Sequence, residues 1–266
     1  MGVPLPLSES EFNDTLNRVD DGLQKIADLS NKIVDACNRF GEWLGPLWND
    51  VTDLLSKFID LVKKVISEIR KFFTEPGVPW TLWNHGTTWT EQVGKRATDL
   101  ISQATTGQTE VDERWQGPAA TAYLGTLPDQ AKALAAIKAA TDDIDDALTK
   151  VAGGVIAFWL GVLAAIVPFI IELTGWGAAA STGVGAPPAA AGAGASTLKV
   201  LGILAAVVTA AITYLSAISS QYKDLLQRVN NNDGFPQGYW PRSTTSVIAD
   251  GSLGGDNNTN WHLRTS

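Results

Sequence analysis

The stretch Arg114-Trp115-Gln116-Gly117-Pro118-Ala119-Ala120-Thr121-Ala122-Tyr123 decides the fold, because it has the character of a turn that opens an α-helical hairpin. Gly117 can adopt the backbone conformations that end a helix, and Pro118 suits a first helical position, where its missing N–H would be unpaired anyway. Trp115 then becomes a large anchor at the bend, and the small residues after the turn let a partner helix approach closely. The stretch therefore predicts a helical arm on each side.

Trp115-Gln116-Gly117 lies between two helix-period arms and is followed by small residues. It resembles the Trp-x-Gly family of helical-hairpin proteins that type VII (ESX) secretion systems export. The resemblance covers residues 87–150 and implies a helical hairpin, export, and pairing with another helical-hairpin chain or a second copy. The family's export signal has Asp or Glu four residues after a tyrosine. In this chain the residues four places after the tyrosines are not acidic, so a partner chain would have to supply the signal. They are Leu127 after Tyr123, Ile218 after Tyr214, Leu226 after Tyr222 and Ser243 after Tyr239.

Composition disfavours a nucleic-acid binder and a dependence on disulfides. Only 18% of the 266 residues are charged, and the net charge of -8 at pH 7 gives no general attraction to nucleic acid. Cys37 is the single cysteine, so it has no internal disulfide partner. Residues 1–7 lack a basic region and a long apolar run, so we do not expect a cleavable secretory signal.

The sequence carries little of the chemistry that an enzyme needs. His85 and His262 lie in a linker and a tail, without the companions that a metal site requires. The aspartates between Asp142 and Asp146 point around a helix rather than toward one ion, which indicates a solvated face. Cys37 falls on an apolar seam and is expected to be a small buried side chain. We therefore expect no enzyme, no catalytic residue, no cofactor and no metal.

The first block, residues 8–75, has the strongest helical pattern. Ser8 and Glu11 have the spacing of a capping box, in which the two residues satisfy each other's free groups at a helix start. Apolar residues then recur on two heptad rows, as in a coiled-coil seam or a bundle helix. The rows are Phe12, Val19, Ile26, Ile33, Phe40, Leu47, Leu54 and Leu61, and Leu16, Leu23, Cys37, Leu44, Val51, Phe58, Val65 and Phe72.

Trp43-Leu44-Gly45 is a second Trp-x-Gly triplet, and Pro46 follows it as Pro118 follows the first. One interpretation is an internal repeat, in which each triplet turns a hairpin and two hairpins form a four-helix bundle. The other is a Gly-Pro kink in one long helix, which the unbroken heptad register favours. The sequence leaves both open.

Trp80, Trp83 and Trp89 crowd the link after the first block. They predict either an aromatic cap over the end of the bundle or an exposed patch that recognises a partner. Thr88 and Glu91 have the spacing of another capping box, which predicts the start of the first arm of the Trp-x-Gly hairpin.

The second strong signal is an apolar helical hairpin over residues 151–229. Val151–Ile171 and Val200–Ile218 are uncharged, and the first gives about 31 Å of helix against a hydrocarbon core of about 30 Å. The Gly- and Ala-rich segment 173–198 between them is expected to be a flexible connector. The residues expected to form the membrane hairpin are Val155, Ile156, Leu160, Leu163, Ile166, Ile203, Leu204, Val207, Val208 and Ile212.

Two interpretations of this hairpin stay open: insertion into a membrane, and a buried core inside a soluble bundle. Its many glycines and alanines suit close helix packing in either setting. Lys150, Lys223 and Arg228 flank the outer ends of the two runs. A resident inner-membrane protein would therefore keep both termini in the cytoplasm by the positive-inside bias.

The sequence therefore predicts an all-α fold, an elongated helical bundle of helical hairpins. Its predicted segments are an N-terminal helix or hairpin (8–75), the Trp-x-Gly hairpin (87–150), the apolar hairpin (151–229) and a polar, disordered C-terminal tail (230–266).

By resemblance, we expect a non-enzymatic type VII (ESX) secreted or secretion-associated protein. The apolar hairpin, which the resemblance does not cover, adds the hypothesis that it inserts into a membrane after export. It would leave the cell by a signal-peptide-independent route. The alternative is a resident scaffold in the cell membrane of a Gram-positive bacterium, with a cytoplasmic helical bundle. The expected partners are another helical-hairpin protein or a second copy, and the lipid bilayer.

Overall fold

The computed structural model describes residues 5–40, 47–105, 118–182 and 185–242, which are almost entirely helical. No strand occurs among them, and the predicted all-α class is confirmed. A π-helix at Thr90–Gly94 joins α3 to α4, and a 3-10 turn spans Pro236–Gly238. The α-helices are α1 (Glu9–Arg39), α2 (Leu47–Phe73), α3 (Pro79–Trp89), α4 (Lys95–Thr105), α5 (Pro118–Ala180) and α6 (Ala186–Asn230).

The chain divides into two compact units, and each combines segments that are far apart in sequence. Of the described residues, the hairpin unit contains those within 5–83 and 149–218, and the short-helix unit contains those within 84–148 and 219–242. Helices α5 and α6 each contribute one part to both units. Local periodicity carries no information on this grouping, because the grouping depends on contacts between distant segments.

Helix α1 begins with the capping box that the sequence predicts. The Ser8 hydroxyl oxygen accepts a hydrogen bond from the Glu11 backbone N–H (3.3 Å), and the Glu11 carboxylate accepts one from the Ser8 backbone N–H (2.7 Å). The hydrogen bond from the Ser8 backbone is the main cause of a lowered Glu11 pKa. The predicted helix start at Ser8 is therefore confirmed.

Helices α1 and α2 are separate and pack against each other in the hairpin unit. Phe12, in the first turn of α1, packs edge to face on Trp80, which follows the end of α2 (5.3 Å between ring centroids). The start of α1 and the end of α2 therefore meet, and the two helices are antiparallel. This is the arrangement expected of a hairpin rather than of one kinked helix. The triplet Trp43–Gly45 itself lies outside the described residues, as does Trp115–Gly117.

The buried stripe of α2 contains one predicted heptad row and has the other at its edge. The row through Val51, Phe58 and Val65 is buried, as predicted, but its last member, Phe72, is 38% exposed. In the other predicted row, Leu54 and Leu61 are half-buried, and Leu54 packs against the core, so this row lies at the edge of the buried stripe. The residues that complete the centre of the stripe are Leu55, Val62 and Ile69.

Helices α5 and α6 form an antiparallel hairpin whose connector is mostly helical. The expectation of a flexible connector over residues 173–198 is wrong, because α5 continues to Ala180 and α6 starts at Ala186. Alanine is the strongest helix former, and Gly192 leaves the space that the Trp176 ring occupies. Composition alone predicted a linker, because the number of small residues does not reveal that Gly192 packs against the Trp176 ring.

Helix α3 begins earlier than the sequence predicts. It starts at Pro79, which suits the first turn of a helix. Thr88 lies inside α3, where its hydroxyl donates to the Asn84 carbonyl (2.8 Å). The predicted capping box at Thr88 and Glu91 is therefore wrong.

Two polar contacts join α6 and the residues that follow it to the first part of α5. Arg228 pairs with Asp143 (2.8 Å), and the Gln130 side chain donates to the Pro241 carbonyl (3.1 Å). Residues 231–242, at the start of the predicted tail, therefore lie against α5. The rest of the tail lies outside the described residues.

Candidate membrane-facing surface

Helix α5 is the core helix of the hairpin unit. Trp159, Ile166 and Phe169 are buried, because α1, α2 and α6 lie around this part of α5. Among the predicted membrane residues of α5, only Leu160 is exposed. The others are Ile156, Leu163 and Ile166, which are buried, and Val155, which is half-buried. The buried side of α5 therefore cannot meet a bilayer while the hairpin unit stays closed. On its other side, Val167 and Ile171 are 41% and 68% exposed.

Helix α6 has an open outward face. Between Val200 and Ile218, only those two residues and Leu204 are buried. Ile203 is 40% exposed, Ile212 59% and Leu215 49%, and Val207 and Val208 are half-buried. The small residues Gly202, Ala205, Ala206 and Ala210 are also exposed. We call this surface the α6 face.

Two helices among the described residues are long and apolar enough to cross a membrane, judged by length and composition alone. In the most apolar part of α5, 39% of the residues are buried, against 11% in α6. The core helix of a soluble bundle passes the same length test as a membrane span, and it would be mostly buried. The α5 window is more buried than the α6 window, so α6 is the better candidate for lipid contact.

The polar groups of the α6 face are satisfied within the helix. The hydroxyls of Thr209, Thr213 and Ser216 donate to backbone carbonyls four residues earlier, at 2.8, 2.9 and 2.8 Å. In hydrocarbon there is no water to accept these bonds, so polar groups there must find partners in the protein. The α6 face meets this requirement without any change in the helix.

Polar contacts frame the apolar part of the hairpin at both ends. At the connector end, Lys199 of α6 pairs with Glu172 of α5 (2.9 Å). At the other end, the Tyr214 hydroxyl donates to the Lys150 carbonyl (3.0 Å). Between these contacts neither helix carries a charged residue. The frame spans about 33 Å of helix on α5 and about 22 Å on α6, against a hydrocarbon core of about 30 Å.

Among the described residues, the remaining sequence-predicted groups do not gather into a chemical site, and His262 lies outside those residues. Cys37 is fully buried, and burial raises the pKa of its thiol, so the reactive thiolate is disfavoured. His85 is exposed on α3. Asp143 pairs with Arg228, and Asp145 accepts a hydrogen bond from Thr90. Within the described ranges, no three His, Cys, Asp or Glu side chains lie together as metal ligands would.

Sequence reasoning treated the two apolar helices alike and missed the difference between them. The signal is the size of their side chains. Helix α5 carries Phe158, Trp159 and Phe169, which bury large areas against other helices. The run 200–211 of α6 consists of small and branched residues, which bury little area each. Comparisons of the chain with protein-family models, curated proteins and solved structures found no match.

Proposed function

We propose that this chain is a non-enzymatic helical protein that binds a lipid bilayer through the α6 face. The observation that supports the proposal is an uncharged apolar surface whose hydroxyls need no water. Exposed apolar surface costs about 25 cal/mol per Å² in water, and contiguous patches of this kind mark protein or membrane contacts. The same hydroxyl bonds to the carbonyl four residues earlier occur in α1, at Thr15 and Ser30, so they are compatible with lipid contact and do not distinguish it from a protein partner.

Binding is proposed to proceed in two steps. The α6 face contacts the bilayer first, since it is open in the closed hairpin unit. The run Val200–Ile218 gives about 28 Å of helix, close to the hydrocarbon thickness of about 30 Å. Entry of α5 comes second, because α1 and α2 must first release Trp159, Ile166 and Phe169.

Flotation of the purified protein with phosphatidylcholine vesicles tests this proposal. Wild-type protein is expected to float with the vesicles. Ile212→Asp puts a charge on the α6 face and is expected to stay at the bottom of the gradient, since a central aspartate in a membrane helix costs about 3 kcal/mol. Its thermal unfolding should change little, because Ile212 is 59% exposed.

Leu100→Asp is the matched control. Leu100 lies on α4 and is 48% exposed, so the same charge is added at similar exposure on a different helix. This variant should float like the wild type. A wild-type protein that does not float, or an Ile212→Asp variant that floats as well as Leu100→Asp, would contradict the proposal.

Export by a type VII (ESX) system, together with a second helical-hairpin chain, is the other part of the proposal. Its support is the resemblance at Trp115–Gly117. Trp115→Ala is expected to lose both pairing and appearance in the culture medium of a Gram-positive host with such a system. Trp240→Ala, which changes an exposed tryptophan outside the triplet, is the control. Equal export of both variants would remove this support.

A resident inner-membrane scaffold is the alternative function. The observation that favours it is the position of Lys150, Lys223 and Arg228 just beyond the outer ends of the apolar runs. Cell fractionation distinguishes the exported protein from the resident scaffold. Recovery from the medium supports the exported protein, and complete retention in the membrane fraction supports the scaffold.

A further inference from the structure

The hairpin unit contains an apolar cavity of about 370 Å³ between the end of α2, α5 and α6. Phe72 of α2 and Phe158 and Trp159 of α5 form one side of its lining. Val208 and Ile212 of α6 form another. The volume falls within the range of small-molecule sites, which is about 300–1,000 Å³.

The polar groups of the lining have little to offer a ligand. The Trp159 ring N–H already donates to the Pro76 carbonyl (2.9 Å), and the Tyr214 hydroxyl donates to the Lys150 carbonyl (3.0 Å). Glu75 is exposed, so its carboxylate belongs to the mouth of the cavity. A sugar, a nucleotide or a peptide would bury hydrogen-bonding groups without partners, which carries a free-energy cost for each such group. Only a hydrocarbon group avoids this cost.

The cavity opens onto the α6 face. Val208, Ile212 and Leu215 line the cavity, and Ile212 and Leu215 are also among the exposed residues of that face. A hydrocarbon chain in contact with α6 can therefore pass from the face into the cavity without crossing a polar surface. Glu75 at the mouth disfavours an anionic group beside it.

We propose that this cavity binds one acyl chain of a membrane lipid with a neutral or zwitterionic headgroup. The proposal rests on the proposed membrane association, since the bilayer supplies the lipid. Each methylene group moved from water into the cavity raises the affinity about fourfold. A bound chain also fills the gap between α2 and α6, and so holds the protein at the membrane before α5 is released.

A binding experiment without vesicles tests the cavity separately from membrane association. The probe is a monomeric lysophosphatidylcholine whose single acyl chain carries two bromine atoms. Bromine quenches tryptophan fluorescence only at short range. Trp159 lines the cavity, so we expect saturable quenching of a minority of the emission from the ten tryptophans.

Two phenylalanine substitutions on adjacent residues of α6 form a matched pair. Ala211 lines the cavity, whereas Ala210 is exposed and does not. In Ala211→Phe the phenyl ring displaces several methylene groups of the chain, and we expect the affinity for the probe to fall by about tenfold or more. In Ala210→Phe the affinity for the probe should match that of the wild type. Circular dichroism checks the fold of each variant. Ala211→Leu fills less space and should weaken binding by a smaller factor, which keeps the test open if the phenyl variant fails to fold.

The proposal is supported by saturable quenching in the wild type, with an affinity that falls from Ala211 to Ala211→Leu and falls further in Ala211→Phe. Absent or unsaturable quenching in the wild type, or equal quenching in the two phenylalanine variants, overturns it. Both phenylalanine variants keep α6 apolar, so both should float with vesicles. Flotation without probe binding therefore removes only the cavity site, and probe binding without flotation removes only the membrane association.

Discussion

At the scale of single residues, Trp159 joins α5 to the end of α2. Its ring packs against Phe73 (4.8 Å between centroids), and its N–H donates to the Pro76 carbonyl in the link after α2. Trp159→Phe keeps an aromatic ring but loses the hydrogen bond and part of the buried area. We expect a loss of about 1–3 kcal/mol in the free energy of unfolding, measured by urea denaturation. Trp240→Phe, at an exposed position, should change it by less than about 0.5 kcal/mol.

The capping box of α1 predicts a dependence on pH. The Glu11 pKa is lowered from 4.5 by its bond from the Ser8 backbone, so the ionised carboxylate stabilises the folded state. This contribution is fully present above the unfolded pKa of 4.5 and is lost as pH falls through the lower folded value. Glu11→Gln should therefore be less stable than the wild type at pH 7 in thermal melts, and the difference should shrink below pH 4.5. A difference that is unchanged by acid would contradict this role.

At the scale of elements, the start of α6 depends on a close contact. Gly192 lies against the Trp176 ring, and a Cβ there would overlap it, whereas Gly194 has no neighbour within 4 Å of where a Cβ would lie. Gly192→Ala should therefore destabilise the hairpin unit by about 1–3 kcal/mol, and Gly194→Ala should stabilise it by about 0.5–1 kcal/mol. Urea denaturation of both variants measures the two values. Stabilisation by both would mean that the connector is not packed as described.

The elements show how far the sequence could predict the fold. Heptad periodicity predicted helical structure over residues 8–75, because one buried stripe leaves a local pattern, but it left open one helix or a hairpin. In α2 it did not predict that Leu55, Val62 and Ile69 are buried. The prediction of a flexible connector was wrong, because Gly and Ala suit both a linker and a tightly packed helix. The cavity depends on three distant segments, so no local pattern indicates it.

At the scale of the whole molecule, the net charge and the α6 face have opposite effects on binding to an anionic vesicle. The net charge of -8 repels anionic vesicles, while the face itself has no charge. We expect flotation on phosphatidylcholine vesicles to persist at about 1 M salt, where the screening length falls to about 3 Å. Binding that disappears in salt would indicate electrostatic attraction instead of apolar contact.

The most direct measurement of the contact between α6 and hydrocarbon uses an environment-sensitive fluorophore, nitrobenzoxadiazole, attached through Ile212→Cys in a Cys37→Ala protein. The same label at Leu100→Cys is the control, since both positions are exposed. On addition of vesicles, we predict a blue shift and brighter emission at position 212, with quenching by lipids that carry a quencher within their acyl chains, and no change at position 100. An unchanged spectrum at position 212, or equal changes at the two positions, would contradict membrane binding through the α6 face.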